Sequence, residues 1–482
     1  MMRKVLIANR GEIAIRISYT LREMGIDAAA VFTEADERAL HVLLANEAQR
    51  ITSYLDVEEI IRAARNAGAD AIHPGYGFLS ENAALSAACE EGGIIFIGPT
   101  PETIRRMGDK LESKRVMQEA GVAVVPAWNG NPPDFEYPVL VKAVGGGGGK
   151  GMRLVEKPAD LANAMASASR EAAAAFGDDR VFVEKYIRQP RHVEFQILGD
   201  SHENYIHVFE RECSIQRRHQ KIVEETPSTA VTPKLRAEMG EAALAAARAV
   251  RYRGTGTVEF ILDQSGRFYF LEMNTRLQVE HPVTEMTTGL DLVREQVRIA
   301  SDETLSCRQT DLRQTGHSIE CRIYAEVPEE DFRPSTGTLE IYEPPAGPGI
   351  RLDAGVAQGS PVTYHFDPML AKLIVWAPSR DAAIDRMKRA LDAFVLLGVR
   401  TNIEFLRRVV STADFVSGKL DTGFLDRHPE LFIPADEVPI EAILAASLSL
   451  PPSRDGERAA APDADSVATF PDAWTSGPWR NS

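Results

Sequence analysis

The chain has 482 residues, too many for one compact core and enough for about three domains. Hydrophobic residues make up 44% and charged residues 26%, with no apolar run long enough to span a bilayer, so an ordinary soluble protein with no membrane partner is expected. A net charge of −16 argues against a protein whose main ligand is a nucleic-acid backbone.

Cys89, Cys213, Cys307 and Cys321 are far apart and form no Cys-x-x-Cys pair, which disfavours a zinc module or a disulfide framework and suits a reducing cytoplasm. Met-Met-Arg-Lys runs directly into the strand-like Val5–Ala8, so no export or transit segment is expected. After the turn Asn9-Arg10-Gly11, Ile13, Ile17 and Leu21 recur at helical spacing. Further apolar runs at 28–32, 69–72 and 93–97 alternate with helical stretches, which predicts an open parallel sheet. The first turn has one glycine where a dinucleotide fingerprint needs three, so a nicotinamide enzyme is a poor reading.

His73–Asn82 is a turn-rich segment carrying aromatic side chains. The strand Tyr137–Lys142 leads to five consecutive glycines, Gly145–Gly149, then Lys150 and Gly151. Ordering so many glycines is entropically costly, so the run suggests close approach of a ligand, and glycine amides can cradle phosphate oxygens. Because Gly151 rather than Ser or Thr follows Lys150, this is not a Walker loop. Residues 158–176 read as an Ala-rich scaffold helix, and Arg180–Ile187 as a strand ending at Glu184 and Lys185. Glu210–Lys221 packs cations that suit phosphates or carboxylates, with Cys213 and Ile215 suggesting partial burial.

The stretch with the most chemistry is Leu271–Glu285. If extended, it places Glu272, Asn274, Arg276, Gln278 and Glu280 on one face. A hairpin through Asp263–Gly266 would carry Glu259 and Glu272 onto neighbouring strands, where two carboxylates call for a cation. Ser318–Tyr324 adds a strand bearing Arg322, and the chain beyond Pro451 reads as a linker or tail.

Taken together, His73–Asn82, Tyr137–Met152, Glu210–Lys221 and Leu271–Glu285 resemble the biotin carboxylase family of ATP-grasp enzymes, over about residues 3–445. The resemblance implies an α/β and α+β fold: a doubly wound parallel-sheet domain (1–112), an ATP-grasp lid subdomain (113–200), a metal and bicarbonate subdomain (201–330), a mixed-sheet C-terminal domain (331–447) and a tail (448–482). It implies ATP held by Lys114, Lys142, Gly146, Gly147, Gly148, Gly149, Glu184, Lys185, Ile187, His192, Gln216 and His219. Mg²⁺ or Mn²⁺ would be held by Glu259 and Glu272 with Asn274 beside them. Bicarbonate would be held by Lys221, Arg276, Gln278 and the Val279 amide, with Glu280 as its general base. Arg322 and Asp367 would lie on the biotin side.

The implied partners are a biotin carboxyl carrier protein or domain, a carboxyltransferase subunit, and a second copy or a larger carboxylase complex. Met387-Lys388 is followed by Arg in a helical pattern, so biotin is expected on another chain or on a missing extension. The short segment from Val125 to Tyr137 departs from the family pattern near the lid hinge. An ATP-grasp ligase for another acid, or a nucleotide-binding regulatory subunit, are the rival readings.

Overall fold

Short apolar strands followed by amphipathic helices build the first layer of the computed structural model, which describes residues 2–128, 130–133, 136–145, 152–218 and 220–433. The strands β1 (Lys4–Ile7), β2 (Asp27–Phe32), β3 (Glu47–Arg50), β4 (Ala71–His73) and β5 (Ile95–Phe96) are parallel, in the order β3-β2-β1-β4-β5. Val5 and Ile7 pack with Ile13, Ile17 and Leu21 of α1 (Gly11–Glu23). Leu6 and Ala8 pack with α2 (Val57–Ala67) and α3 (Ala83–Glu91) on the other face. Both faces are covered, which is why the central run of β1 and β2, Val5–Ile7 and Ala28–Val31, is apolar without alternation, whereas the edge strand β3 carries Glu47, Gln49 and Arg50.

Strand order reverses between β1 and β4, and a crevice opens at such a switch point beyond the carboxyl ends of the strands. Here the two loops are tied together, because Asn9 Nδ2 donates to the Pro74 carbonyl at 2.8 Å and to that of Tyr76 at 2.7 Å. Gly75 lets them close: its φ is +63°, and a Cβ there would lie 2.8 Å from Asn9 Nδ2.

Helix α4 (Lys110–Glu119) leads to a small antiparallel sheet of β6 (Ala127–Trp128), β7 (Val139–Ala143), β8 (Arg153–Val155) and β9 (Val181–Lys185), ordered β6-β9-β7-β8. Leu161 and Ala168 of α5 (Leu161–Phe176) cover it. Residues 146–149, the heart of the glycine run, lie outside the described residues, as do His219 and the tail from 434 onward.

The large sheet contains β10 (Arg191–Gly199), β11 (Tyr205–Arg217), β12 (Gln220–Thr226), β13 (Gly254–Leu262), β14 (Phe268–Asn274), β15 (His317–Tyr324), β16 (Ile350–Ala354) and β17 (Met369–Ala377). Its order is β14-β13-β10-β11-β12-β15-β17-β16, antiparallel throughout. Phe195, Val258, Phe260 and Phe270 bury one face against α6 (Pro233–Ala249). The opposite face carries the charged side chains, against α7 (His281–Thr288). Helix α8 (Arg380–Asp392) closes a separate core over β15 and β17.

One expectation needs correction. The polar alternation from Glu272 to Glu280 does not run along one strand: β14 ends at Asn274, residues 275–279 form a loop, and Glu280 occupies the N-cap position of α7. Pro282 at the first helical turn favours that start. Residues of both parities are buried, Leu277 and Thr275 as well as Gln278 and Glu280, so no solvated polar face exists here.

Candidate active site

A cavity of about 1230 Å³ opens where the small sheet, the charged face of the large sheet and the loops after β1 and β4 converge. Sixteen of the residues singled out from the sequence line it, among them Lys142, Glu184 and Lys185 of the small sheet and Arg322 of the large one.

The hairpin of β13 and β14 sets Glu259 directly opposite Glu272, with a register shift just beyond the pair. Glu259 Oε1 accepts from Lys221 Nζ, Asn274 Nδ2 and Gln278 Nε2, each at 2.8 Å. Its other oxygen lies 2.8 Å from His192 Nε2. Burial pushes the Glu259 carboxyl up, but Lys221 and His192 outweigh it and hold the group well below the usual carboxylate range. Glu272 goes the other way, raised first by burial and then by the charge of Glu259, against the pull of Lys110 and Lys142. Two facing carboxylates, Glu259 buried and Glu272 half-buried, one already burdened by the other, form an oxygen donor set that fits a hard divalent cation. The Asn274 amide oxygen accepts from Arg276 Nη2 at 2.9 Å, so a cation there would compete with that guanidinium.

Glu280 sits between two cations. Its Oε1 accepts from Lys221 Nζ at 2.7 Å, and its Oε2 from Arg322 Nη2 at 3.1 Å. Burial raises its pKa, yet Lys221, Arg322 and Arg211 together force it far below the ordinary carboxylate value. The N-terminus of α7 adds a favourable field for the anion. Lys221 also meets Glu194 Oε2 at 2.5 Å, so its one ammonium joins three carboxylates. Arg322 is held from behind by Glu224, with Nε 2.6 Å from Oε1.

On the small sheet, Lys142 pairs with Glu184 at 3.1 Å. Lys114 pairs with the other oxygen of Glu184 and donates to the Val125 carbonyl at 3.3 Å, standing behind Glu184 rather than on the cavity wall. Lys185 reaches Glu136 at 2.8 Å. His192 Nδ1 lies 2.9 Å from Gln216 Nε2, which also donates to the Cys213 carbonyl at 2.8 Å. Arg276 Nε meets Glu81 Oε2 at 2.9 Å, bringing the loop after β4 against the loop after β14. Asp367 accepts from the Met369 backbone N–H at 2.9 Å.

Several residues of the site escaped the sequence reading. Arg211 is wholly buried and distributes all its donors: to Glu194 at 2.6 Å, Gln196 at 2.8 Å, Thr284 at 3.0 Å, Thr257 at 3.1 Å and Gln278 at 2.7 Å. It thereby fixes Gln278 and, with Lys221, neutralises Glu194. Inside Glu210–Lys221 nothing distinguished Arg211 from the exposed Arg218; only strand pairing does. Glu224 and Glu81 were equally silent.

Residues 1–104 match the family described as biotin carboxylase, N-terminal domain; residues 109–308 the carbamoyl-phosphate synthase L chain, ATP binding domain; and residues 320–427 the biotin carboxylase C-terminal domain. The chain is 52% identical to the mitochondrial methylcrotonoyl-CoA carboxylase subunit alpha of Oryza sativa subsp. japonica, over 88% of this chain and 60% of that protein. It thus spans about three-fifths of the length of that relative. It is 51% identical to a biotin carboxylase of Nostoc sp., over 88% of this chain and 98% of that protein. The biotin carboxylase domain dimer of Hydrogenobacter thermophilus 2-oxoglutarate carboxylase, solved in complex with MgADP, ADP and bicarbonate, superposes with a TM-score of 0.87 at 47% identity, covering 90% of this chain and all of that one. This chain belongs to the biotin carboxylase family.

Proposed function

We propose that the chain catalyses the ATP- and bicarbonate-dependent carboxylation of biotin borne on a carrier, through carboxyphosphate, as the first half-reaction of an acyl-CoA carboxylase. The observation that carries this reading is Glu280 suspended between Lys221 and Arg322, beside the facing carboxylates Glu259 and Glu272.

Bicarbonate is a weak nucleophile and its proton must leave as its oxygen attacks the γ-phosphorus. In this reading Lys221, Arg276, Gln278 and the Val279 amide hold the anion, and Glu280 takes the proton. With both cations on it, Glu280 is ionised but a poor base. Transfer of the Lys221 and Arg322 hydrogen bonds to the bound substrates removes that hold and raises its affinity for a proton. Lys142 and Glu184 would steady the nucleotide with Lys114 behind them, together with Lys185, Ile187, His192, Gln216, His219 and the glycine run. Glu259, Glu272 and Asn274 would hold Mg²⁺ or Mn²⁺, whose contribution when bound is to offset charge on the transferring phosphoryl group.

Carboxyphosphate then breaks to CO₂ and phosphate; phosphate takes the biotin N1′ proton and N1′ bonds to the CO₂ carbon. Arg322, with Asp367 nearby, would meet the charge on the ureido oxygen. The division at residues 112, 200, 330 and 447 belongs to the same reading, as do the carrier, the carboxyltransferase subunit and a dimeric or larger assembly. The names of the relatives and the dimer of the Hydrogenobacter domain support these. Among the described residues no helix is long and apolar enough to cross a membrane, and the four free cysteines suit a reducing compartment such as the cytoplasm, although the rice relative is named mitochondrial.

The test is ADP release with ATP, Mg²⁺ and bicarbonate, with and without free biotin. Biotin-stimulated, bicarbonate-dependent release supports the reading; release indifferent to both small molecules would move the chain to another ATP-grasp reaction.

A further inference from the structure

Lys372 lies in the middle of β17 with no solvent exposure at all. Strand pairing places it directly across from Arg322 on one side and from Asp353 of β16 on the other, so three charged side chains form a row on one face of the sheet. Its Nζ donates to the Val279 carbonyl at 2.9 Å. Two carboxylates close on the same ammonium, Glu12 at 3.4 Å and Asp353 at 3.6 Å. Burial pulls the Lys372 pKa down, but Glu12, Asp353 and Glu320 more than compensate, and the lysine stays charged. A position that needed only volume would be served by an apolar chain of the same length, because a buried ion pair gains little over well-packed hydrophobic contact.

Glu12 comes from the first turn of α1 and lines the same cavity. It is held in place by a close backbone approach: a Cβ on Gly355, just past β16, would lie 2.7 Å from the Glu12 nitrogen and 3.0 Å from the Gly11 Cα. The ammonium therefore ties the start of α1, the end of the large sheet and the loop before α7 to one point. The peptide that carries the Val279 carbonyl also carries the Glu280 nitrogen and is planar, so fixing that oxygen fixes the plane from which Glu280 departs.

We infer that Lys372, anchored by Glu12 and Asp353, is a positioning residue that sets the Val279–Glu280 peptide and with it the bicarbonate subsite. The inference rests on the carboxylase reading above. It makes the sheet position opposite Arg322 a determinant of how the anion meets its base, without Lys372 touching substrate.

The experiment uses the full chain and compares wild type, Lys372→Met and Glu12→Gln in ADP release, varying bicarbonate and ATP separately, with ATP binding measured in the absence of bicarbonate. Lys372→Met is expected to lower kcat/KM for bicarbonate by about tenfold or more, the usual scale for a residue supporting a site, while ATP affinity stays at the wild-type value. Glu12→Gln, which keeps the Lys372 donor and removes one anchor, is expected to shift the same parameter in the same direction by less. A Lys372→Met protein that melts earlier but keeps wild-type kcat/KM for bicarbonate would show a merely structural lysine and overturn the inference, as would equal losses toward ATP and bicarbonate. If Lys372→Met does not fold, Glu12→Gln decides, and an unchanged bicarbonate parameter there overturns the inference. Absence of bicarbonate-dependent turnover in the wild type sinks the carboxylase reading itself, and this inference with it, so the two failures are told apart by the wild-type control.

Discussion

Glu259 and Glu272 face each other across one antiparallel ladder, and burial raises both, yet they end apart: Lys221 and His192 hold Glu259 low, while the charge of Glu259 adds to the rise of Glu272. A divalent cation between them would relieve the second group. Mn²⁺ binding should therefore weaken as pH falls, because protons compete for the raised Glu272 carboxylate. Glu272→Gln is expected to lower Mn²⁺ affinity by about tenfold or more and to flatten this pH dependence. Titration by electron spin resonance at several pH values measures both; an unaltered affinity would remove Glu272 from the metal site.

Glu280→Gln leaves an amide where Lys221 and Arg322 meet a carboxylate at 2.7 and 3.1 Å. Bicarbonate-dependent ADP release should drop by about 10²- to 10⁴-fold, the scale of a lost general base. Nucleotide affinity, read by calorimetry, should change little, since Lys142 and Glu184 belong to the small sheet and not to the elements that hold Glu280.

Arg322→Lys keeps a charge but loses the fork that now spans Glu224 and Glu280. Biotin-dependent carboxylation should suffer more than bicarbonate-dependent ATP hydrolysis measured without biotin, by a margin of about 10²-fold if ureido charge is what the guanidinium offsets. Equal losses in the two assays would place Arg322 in the first chemical step instead.

Arg211→Met removes the donors to Glu194 Oε1 and to the amide oxygens of Gln196 and Gln278 in a buried cluster, leaving Glu194 its contact with Lys221. Removing one partner of a buried charge cluster costs about 3–5 kcal/mol, so denaturant unfolding should shift clearly to lower concentration. A variant as stable as wild type would mean that water or a rearranged Lys221 had taken over these bonds.

His41 and His73 are buried, and burial lowers their pKa values from 6.5 to about 4 and about 3. Both are neutral in the fold and take up protons on unfolding, so the unfolded state binds more protons below pH 6.5. Their stabilising share is complete above that pH and is lost as pH falls toward the folded values. Each contributes a slope on the order of 1.4 kcal/mol per pH unit in that window. His41→Leu should make the unfolding free energy less steep between pH 6 and about 4.5, measured by denaturant titration; an unchanged slope would show that His41 does not titrate on unfolding.

Much of the site was readable because its chemistry is local. The pairing of Glu259 with Glu272 follows from a hairpin whose turn, Asp263–Gly266, is visible in the chain, and Lys142 stands at the end of a strand just before the glycines. The alternation through Glu280 was misread because period two continues past Asn274 in the sequence while the backbone turns away there. Pro282 signals the helix, but not how far back its entry loop reaches.

The alternating βα start, the strand that leads into the glycines and the facing of Glu259 with Glu272 were legible in the chain alone, since helix and strand periods and turn chemistry act over a few residues. Only tertiary structure decided which charges are buried together. Lys372 meets Val279 from 93 positions away and Arg211 meets Gln278 from 67, and a charge's partners at such separations depend on strand order and register, which no local pattern encodes. The same long-range pairing turned Glu280 from one more acidic residue in a polar run into a carboxylate gripped by Lys221 and Arg322, because burial makes those two contacts far stronger than they would be in water.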